Sequence, residues 1–152
     1  MIESGVPGTV FLSLDEVRTL ARSVLVSRGF SAAHAAAIAE VVAAAERDDC
    51  PSHGLFRIPA YLAALAAGQC SGSAEPIVSR PAPAVVRVDA GLGFAPLAMA
   101  RAEGALVEAA RAQGVAALLD GDEALVGQGA DGDDEAATVR VELVEQGGRD
   151  GG

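Results

Sequence analysis

The 152-residue sequence contains no lysine and no tryptophan, and it has only five aromatic side chains, two cysteines and two histidines. Each shortage closes off a class of function. The 11 basic residues, all arginine, stand against 21 acids for a net charge of −10, so the chain lacks the basic footprint that a phosphate backbone requires and nucleic acid is not an expected partner. Two thiols, Cys50 and Cys70, make no disulfide framework and fit a reduced cytoplasmic protein. The N-terminal stretch "MIESGVPGTVFLSLDEV" has no basic start followed by an apolar run, and no 18-residue apolar stretch is free of charge, so neither a signal peptide nor a membrane span is expected. A metal site would have to gather His34, Cys50, His53 and Cys70 without the usual paired spacing, and none is expected.

What the chain does have is alanine. The apolar fraction is 51%, which looks globular, but 33 of these residues are alanine, so the core must come from Leu, Val and close helix packing. The stretch "SLDEVRTLARSVLVSRGFS" opens with a capping box, Ser13 with Glu16, carries Leu14, Val17, Leu20, Val24 and Leu25 on one face, and ends at Gly29. It predicts a helix over 14–28. Ser31 caps a second helix over 32–47, with Ile38, Val41, Val42 and Ala45 on one face. Acids gather at its end, where the helix dipole disfavours them, and this predicts a stop near Arg47. His34, in the first turn of that helix, is expected to face solvent or to make a local hydrogen bond.

The densest chemistry lies in "DDCPSHGLFRIPAYLAAL", residues 48–65. His53, Arg57 and Tyr61 recur every four residues, a spacing that on a helix puts a proton donor, a fixed cation and a phenol on one face. Pro59 disturbs this pattern. Either a helix kinks there, or "SHGLFRI" is a short turn and a new helix starts at Pro59 and runs to 67. An arginine fork, a histidine and a tyrosine suit a small α-keto, α-hydroxy or imino acid, although the same spacing also fits a packed face.

A Gly/Ser/Pro-rich loop is expected from Gly68 to Pro83, then a strand in "AVVRVD", a glycine loop, a helix over 96–112 and a strand in "VAALL". "GLGFAP" is a poor dinucleotide fingerprint: Pro96 takes the third small position, and no acid follows at the end of the second strand before Asp120. The charge is uneven. Residues 1–119 hold 11 acids and nine arginines, whereas residues 120–152 hold ten acids and two arginines, and only "TVRVELVE" there alternates like a strand. The expected fold class is α+β, with a mainly helical N-terminal substrate part, a short strand–helix–strand unit, and an acidic, largely irregular tail. The expected domains are 1–119 and 120–152.

"PSHGLFRIPAYLAAL", together with "GFSAAHAAAIAEVVAAAERDD" before it and "VDAGLGFAPLAMARAEGALVEAARAQGVAAL" after it, resembles the N-terminal third of the malate/L-lactate dehydrogenase family. These are NAD(P)-dependent reductases of 2-oxo and imino acids, unrelated to Rossmann lactate dehydrogenases, and the resemblance covers residues 12–118. It implies that Ser52 and His53 relay a proton to the substrate, that Arg57 and Tyr61 line the substrate pocket, that the cofactor is NAD or NADP bound on a large antiparallel sheet, and that subunits form a homodimer. The family's histidine-containing "HFG"-like loop is replaced here by "LDGDEALVGQG", and no histidine follows His53. The chain therefore reads as a truncated oxidoreductase, or alternatively as a noncatalytic helical dimerisation module derived from that family. The switch near Leu119 also resembles a shifted reading frame.

Overall fold

The computed structural model describes residues 10–121 and the strand pair at 139–140. Among the described residues the fold is α+β, with four α-helices, two 3₁₀ turns and a small sheet. The chain divides into two compact units, Met1–Gln69 and Cys70–Gly152. The acidic tail expected over 120–152 lies outside the described residues, apart from Asp120, Gly121 and the backbone at 139–140.

The first unit is a helical hairpin followed by the turn segment and a short helix. Helix α1 (Leu14–Ser27) starts at the expected capping box: the Ser13 Oγ accepts from the Glu16 amide, and Glu16 Oε2 accepts the Ser13 amide at 2.7 Å. Val17, Ala21 and Leu25, four residues apart, are its buried stripe. Helix α1 packs against α2 (Ala32–Arg47), whose buried residues are His34, Ala35, Ile38, Ala39, Val42, Ala43 and Ala45. With no side chain beyond Cβ, the alanines let the helix surfaces approach closely, and Leu25, Ile38 and Val42 are fully enclosed, with Phe30 buried at the connection. Burial of each of these larger side chains is worth about 1.5–3 kcal/mol. The Arg18 Nε to Glu40 ion pair, 2.9 Å, ties the outer edges of the two helices. His34 does not face solvent: it is fully buried in the first turn of α2, its amide donating to the Ser31 cap. Of the two expectations, exposure and a local hydrogen bond, burial overturns the first, because packing rather than position in the turn decides which side chains are enclosed.

Helix α3 (Ile58–Ala66) has Pro59 in its first turn, where the missing amide donor costs nothing. The second of the two expectations for this segment therefore holds: short turns first, then a helix.

In the second unit, β1 (Ile77–Ala82) and β2 (Val85–Asp89) form an antiparallel pair, β3 (Ala117–Asp120) lies parallel to β2, and β4 (Val139–Arg140) lies antiparallel to β3, in the order β1-β2-β3-β4. Helix α4 (Ala95–Gln113) makes the crossover between the parallel strands. Val86, Val88 and Leu118 pack against Ala98, Ala102, Leu106, Ala109 and Ala110 of α4. Strand β1 falls inside the segment expected to be a loop. It holds Pro81 because β1 is an edge of the described sheet with a register shift between Ser79 and Ala82, the setting in which a sheet accepts proline.

Candidate active site

The segment after α2 starts from an unusual helix end. The Cys50 amide donates to Ala45 O at 2.8 Å and the Asp49 amide to Glu46 O at 3.3 Å, the Schellman pattern, with Asp49 in the left-handed region at φ 53°. Two 3₁₀ turns follow, Pro51–His53 and Leu55–Arg57, joined at the buried Gly54. The four-residue spacing of His53, Arg57 and Tyr61 is thus not carried on one continuous helix. Pro51 and Gly54 divide the segment, and α-helical geometry begins only at Ile58.

The predicted residues come together as two pairs. Ser52 Oγ lies 3.0 Å from His53 Nδ1, and both residues are exposed. This hydrogen bond fixes one imidazole nitrogen and leaves Nε2 outside it, the arrangement that orients a histidine for proton exchange. Four residues on, the Arg57 guanidinium carbon stands 6.0 Å from the centre of the half-buried Tyr61 ring, at the outer limit of a cation–π contact. Among the described residues no ion pair involves Arg57, so its planar fork is available to a carboxylate.

Three neighbours had been given no role at this site by sequence reasoning. Cys50 Sγ is 3.5 Å from the same His53 Nδ1 and 3.9 Å from Ser52 Oγ, a weak second contact to the ring. Glu46, in the last turn of α2, accepts the Leu55 amide at 2.7 Å. Gly54 leaves the space that this carboxylate occupies. One signal was visible in advance: acids at the dipole-disfavoured end of α2. The structure accounts for two of them, since Glu46 reaches forward to Leu55, and Asp48 receives two bonds from Arg47, at 2.8 and 3.0 Å, which hold its carboxyl below the usual range.

The glycine loop of the second unit is a turn rather than a phosphate cradle. Its Gly91 amide donates to Asp89 Oδ1 at 2.8 Å and its Gly93 amide to Ala90 O at 2.7 Å, so two donors that a pyrophosphate would need are already engaged, one of them by a carboxylate. This loop does not fit a dinucleotide.

Among the described residues, no helix is long and apolar enough to cross a membrane. The family model for malate/L-lactate dehydrogenase matches residues 12–122. The chain is 48% identical over 109 residues to the Δ1-pyrroline-2-carboxylate reductase of Ancylobacter novellus, covering 72% of this chain and 32% of that protein. It is 45% identical over 107 residues to the Δ1-pyrroline-2-carboxylate/Δ1-piperideine-2-carboxylate reductase of Pseudomonas aeruginosa, covering 70% and 32%. Among solved structures, the Δ1-piperideine-2-carboxylate reductase of Pseudomonas syringae superposes with a TM-score of 0.71 at 44% identity, over 74% of this chain and 34% of that one. The malate dehydrogenase of Pyrococcus horikoshii shares the fold at a TM-score of 0.67 and 20% identity. The chain spans about a third of the length of the curated relatives it matches.

Proposed function

Since the chain belongs to the malate/L-lactate dehydrogenase family, we propose that it is the substrate-side part of a reductase acting on a small cyclic imino acid or 2-oxo acid, with Ser52 and His53 managing the proton and Arg57 and Tyr61 the substrate. The observation that carries this reading is the Ser52 Oγ to His53 Nδ1 hydrogen bond, set four residues before an arginine with no ion-pair partner among the described residues. Arg57 receives the substrate carboxylate with two parallel hydrogen bonds, and the Tyr61 ring steadies the guanidinium. Ser52 holds His53 at Nδ1 so that Nε2 delivers a proton to the substrate nitrogen or oxygen as the double bond is reduced. In a reaction of this class NAD or NADP supplies the hydride. No described residue is assigned to hold that cofactor, and the isolated chain is expected to bind neither form more tightly than about 10 μM.

A cytoplasmic setting accords with the two free thiols, Cys50 and Cys70. Homodimer formation is supported by apolar side chains left partly exposed on the helical hairpin, Leu20, Val26 and Val41.

The test is a chimera in which residues 12–118 replace the matching part of the Ancylobacter novellus reductase. It is expected to reduce Δ1-pyrroline-2-carboxylate. In it, His53→Ala should lower kcat by about 10² to 10⁴, the range for a lost acid–base group. Arg57→Lys should chiefly raise KM, because lysine cannot offer the planar fork. Unchanged kinetics in both variants would return the segment to a packing role.

A further inference from the structure

Glu46 has no part in the chemistry above, yet it touches the one point on which the two site-bearing turns depend. Its Oε1 accepts the Leu55 amide, nine residues ahead, at 2.7 Å. Beside that bond lies Gly54, where an added Cβ would stand 2.6 Å from Glu46 Cδ. A side chain at position 54 would stand in the space that the Glu46 carboxylate fills, so the carboxylate would have to move away from it. Gly54 is also both the end of the turn that carries Ser52 and His53 and the start of the turn that carries Arg57.

A glutamate in the last turn of a helix opposes the helix dipole, so intrinsic helix energetics do not explain its position. Its forward hydrogen bond does. We propose that Glu46 is a positioning residue that locks the joint between the two 3₁₀ turns and so holds His53 and Arg57 in the one relative geometry that a small carboxylate substrate can bridge. The substrate part of this statement rests on the reductase reading; the locked joint does not.

The contact is to a main-chain amide and needs an acceptor oxygen, not a charge. Glutamine keeps that oxygen at the same reach, and alanine removes it. An alanine at position 54 should evict the carboxylate from the other side and reproduce the loss with Glu46 still present.

The experiment uses the whole chain, labelled for NMR, as wild type and as Glu46→Ala, Glu46→Gln and Gly54→Ala. In Glu46→Ala the Leu55 amide should exchange with solvent at least about tenfold faster, and the His53 ring signals should move toward those of free histidine, while the amides of α1 keep their protection. Glu46→Gln should stay within about threefold of wild type, and Gly54→Ala should behave like Glu46→Ala. Adding Gly54→Ala to Glu46→Ala should change little further, because both remove one contact. Pyruvate titration then reads the substrate part: wild type should bind more tightly than Glu46→Ala. Failure of wild type to bind pyruvate counts against the reductase reading alone, because amide exchange and the His53 signals judge the joint independently. Unchanged exchange and ring signals in Glu46→Ala, or a Glu46→Gln variant as disrupted as the alanine one, would overturn the proposal. Should Glu46→Ala not fold, an unaltered Leu55 amide and His53 ring in Gly54→Ala would overturn it equally.

Discussion

Helices α1 and α2 end in the same way and lead to opposite kinds of structure. Each closes with a Schellman pair: Phe30 N to Leu25 O and Gly29 N to Val26 O for α1, Cys50 N to Ala45 O and Asp49 N to Glu46 O for α2. At α1 the left-handed residue is Gly29, φ 101°, and the chain turns directly into the next helix over the buried Phe30. At α2 it is Asp49, φ 53°, a residue that adopts this region only at a cost, and the chain runs into exposed turns with a serine–histidine pair. One end is built for packing. The other carries polar side chains through a turn that glycine would make more cheaply, the kind of local cost found where a segment serves chemistry.

The largest test of the contrast is made in the hairpin. Ile38→Ala removes a fully buried side chain between helices already lined with alanine, where little can move in to fill the gap, and should destabilise the fold by about 2–5 kcal/mol in denaturant melts. A loss under 1 kcal/mol would mean that the alanine-lined interface is not the stabilising core.

The next test is Gly29→Ala, which should cost about 1–2 kcal/mol, because a Cβ must be placed in left-handed backbone although nothing stands within 4 Å of it. Asp49→Gly should act in the opposite direction and raise stability by about 0.5–1 kcal/mol. In the chimera it should bring no gain in turnover. A stabilised and faster enzyme would show that Asp49 is an accident of sequence rather than part of the site.

The smallest effect concerns the start of α1. The Ser13 amide, then its hydroxyl, hold the Glu16 carboxyl below its ordinary range. A carboxylate depressed in the folded state contributes stability that is present above its unfolded pKa, about 4.3, and is lost as pH falls through the folded value. Asp48, depressed chiefly by its hydrogen bond to Arg47, follows the same sign. Glu16→Gln, which removes the titrating group, should therefore flatten part of the acid limb of a stability–pH profile and leave the Asp48 part in place. An unchanged limb would show that the capping box does not couple to titration.

Pattern and end signals had already defined all four helices, to within about two residues at either end, because stripes at helical spacing, capping serines and terminal glycines act locally. "SHG" followed by Arg, Pro and Tyr was equally legible as a group of residues with a shared chemistry. What periodicity could not supply was their arrangement. The four-residue repeat suggested one helical face, and the structure divides it at Gly54 into two turns.

The sequence by itself determined where helices begin and end, which side chains carry reactive groups, and, through its motif, the family, since all of these depend on residue type and short-range spacing. Only the tertiary structure decided that His34 is buried, that an edge strand tolerates Pro81, and that Glu46 reaches nine residues forward to close on Leu55. Those outcomes depend on which groups meet after the chain has folded back on itself, and spacing along the chain does not contain that distance.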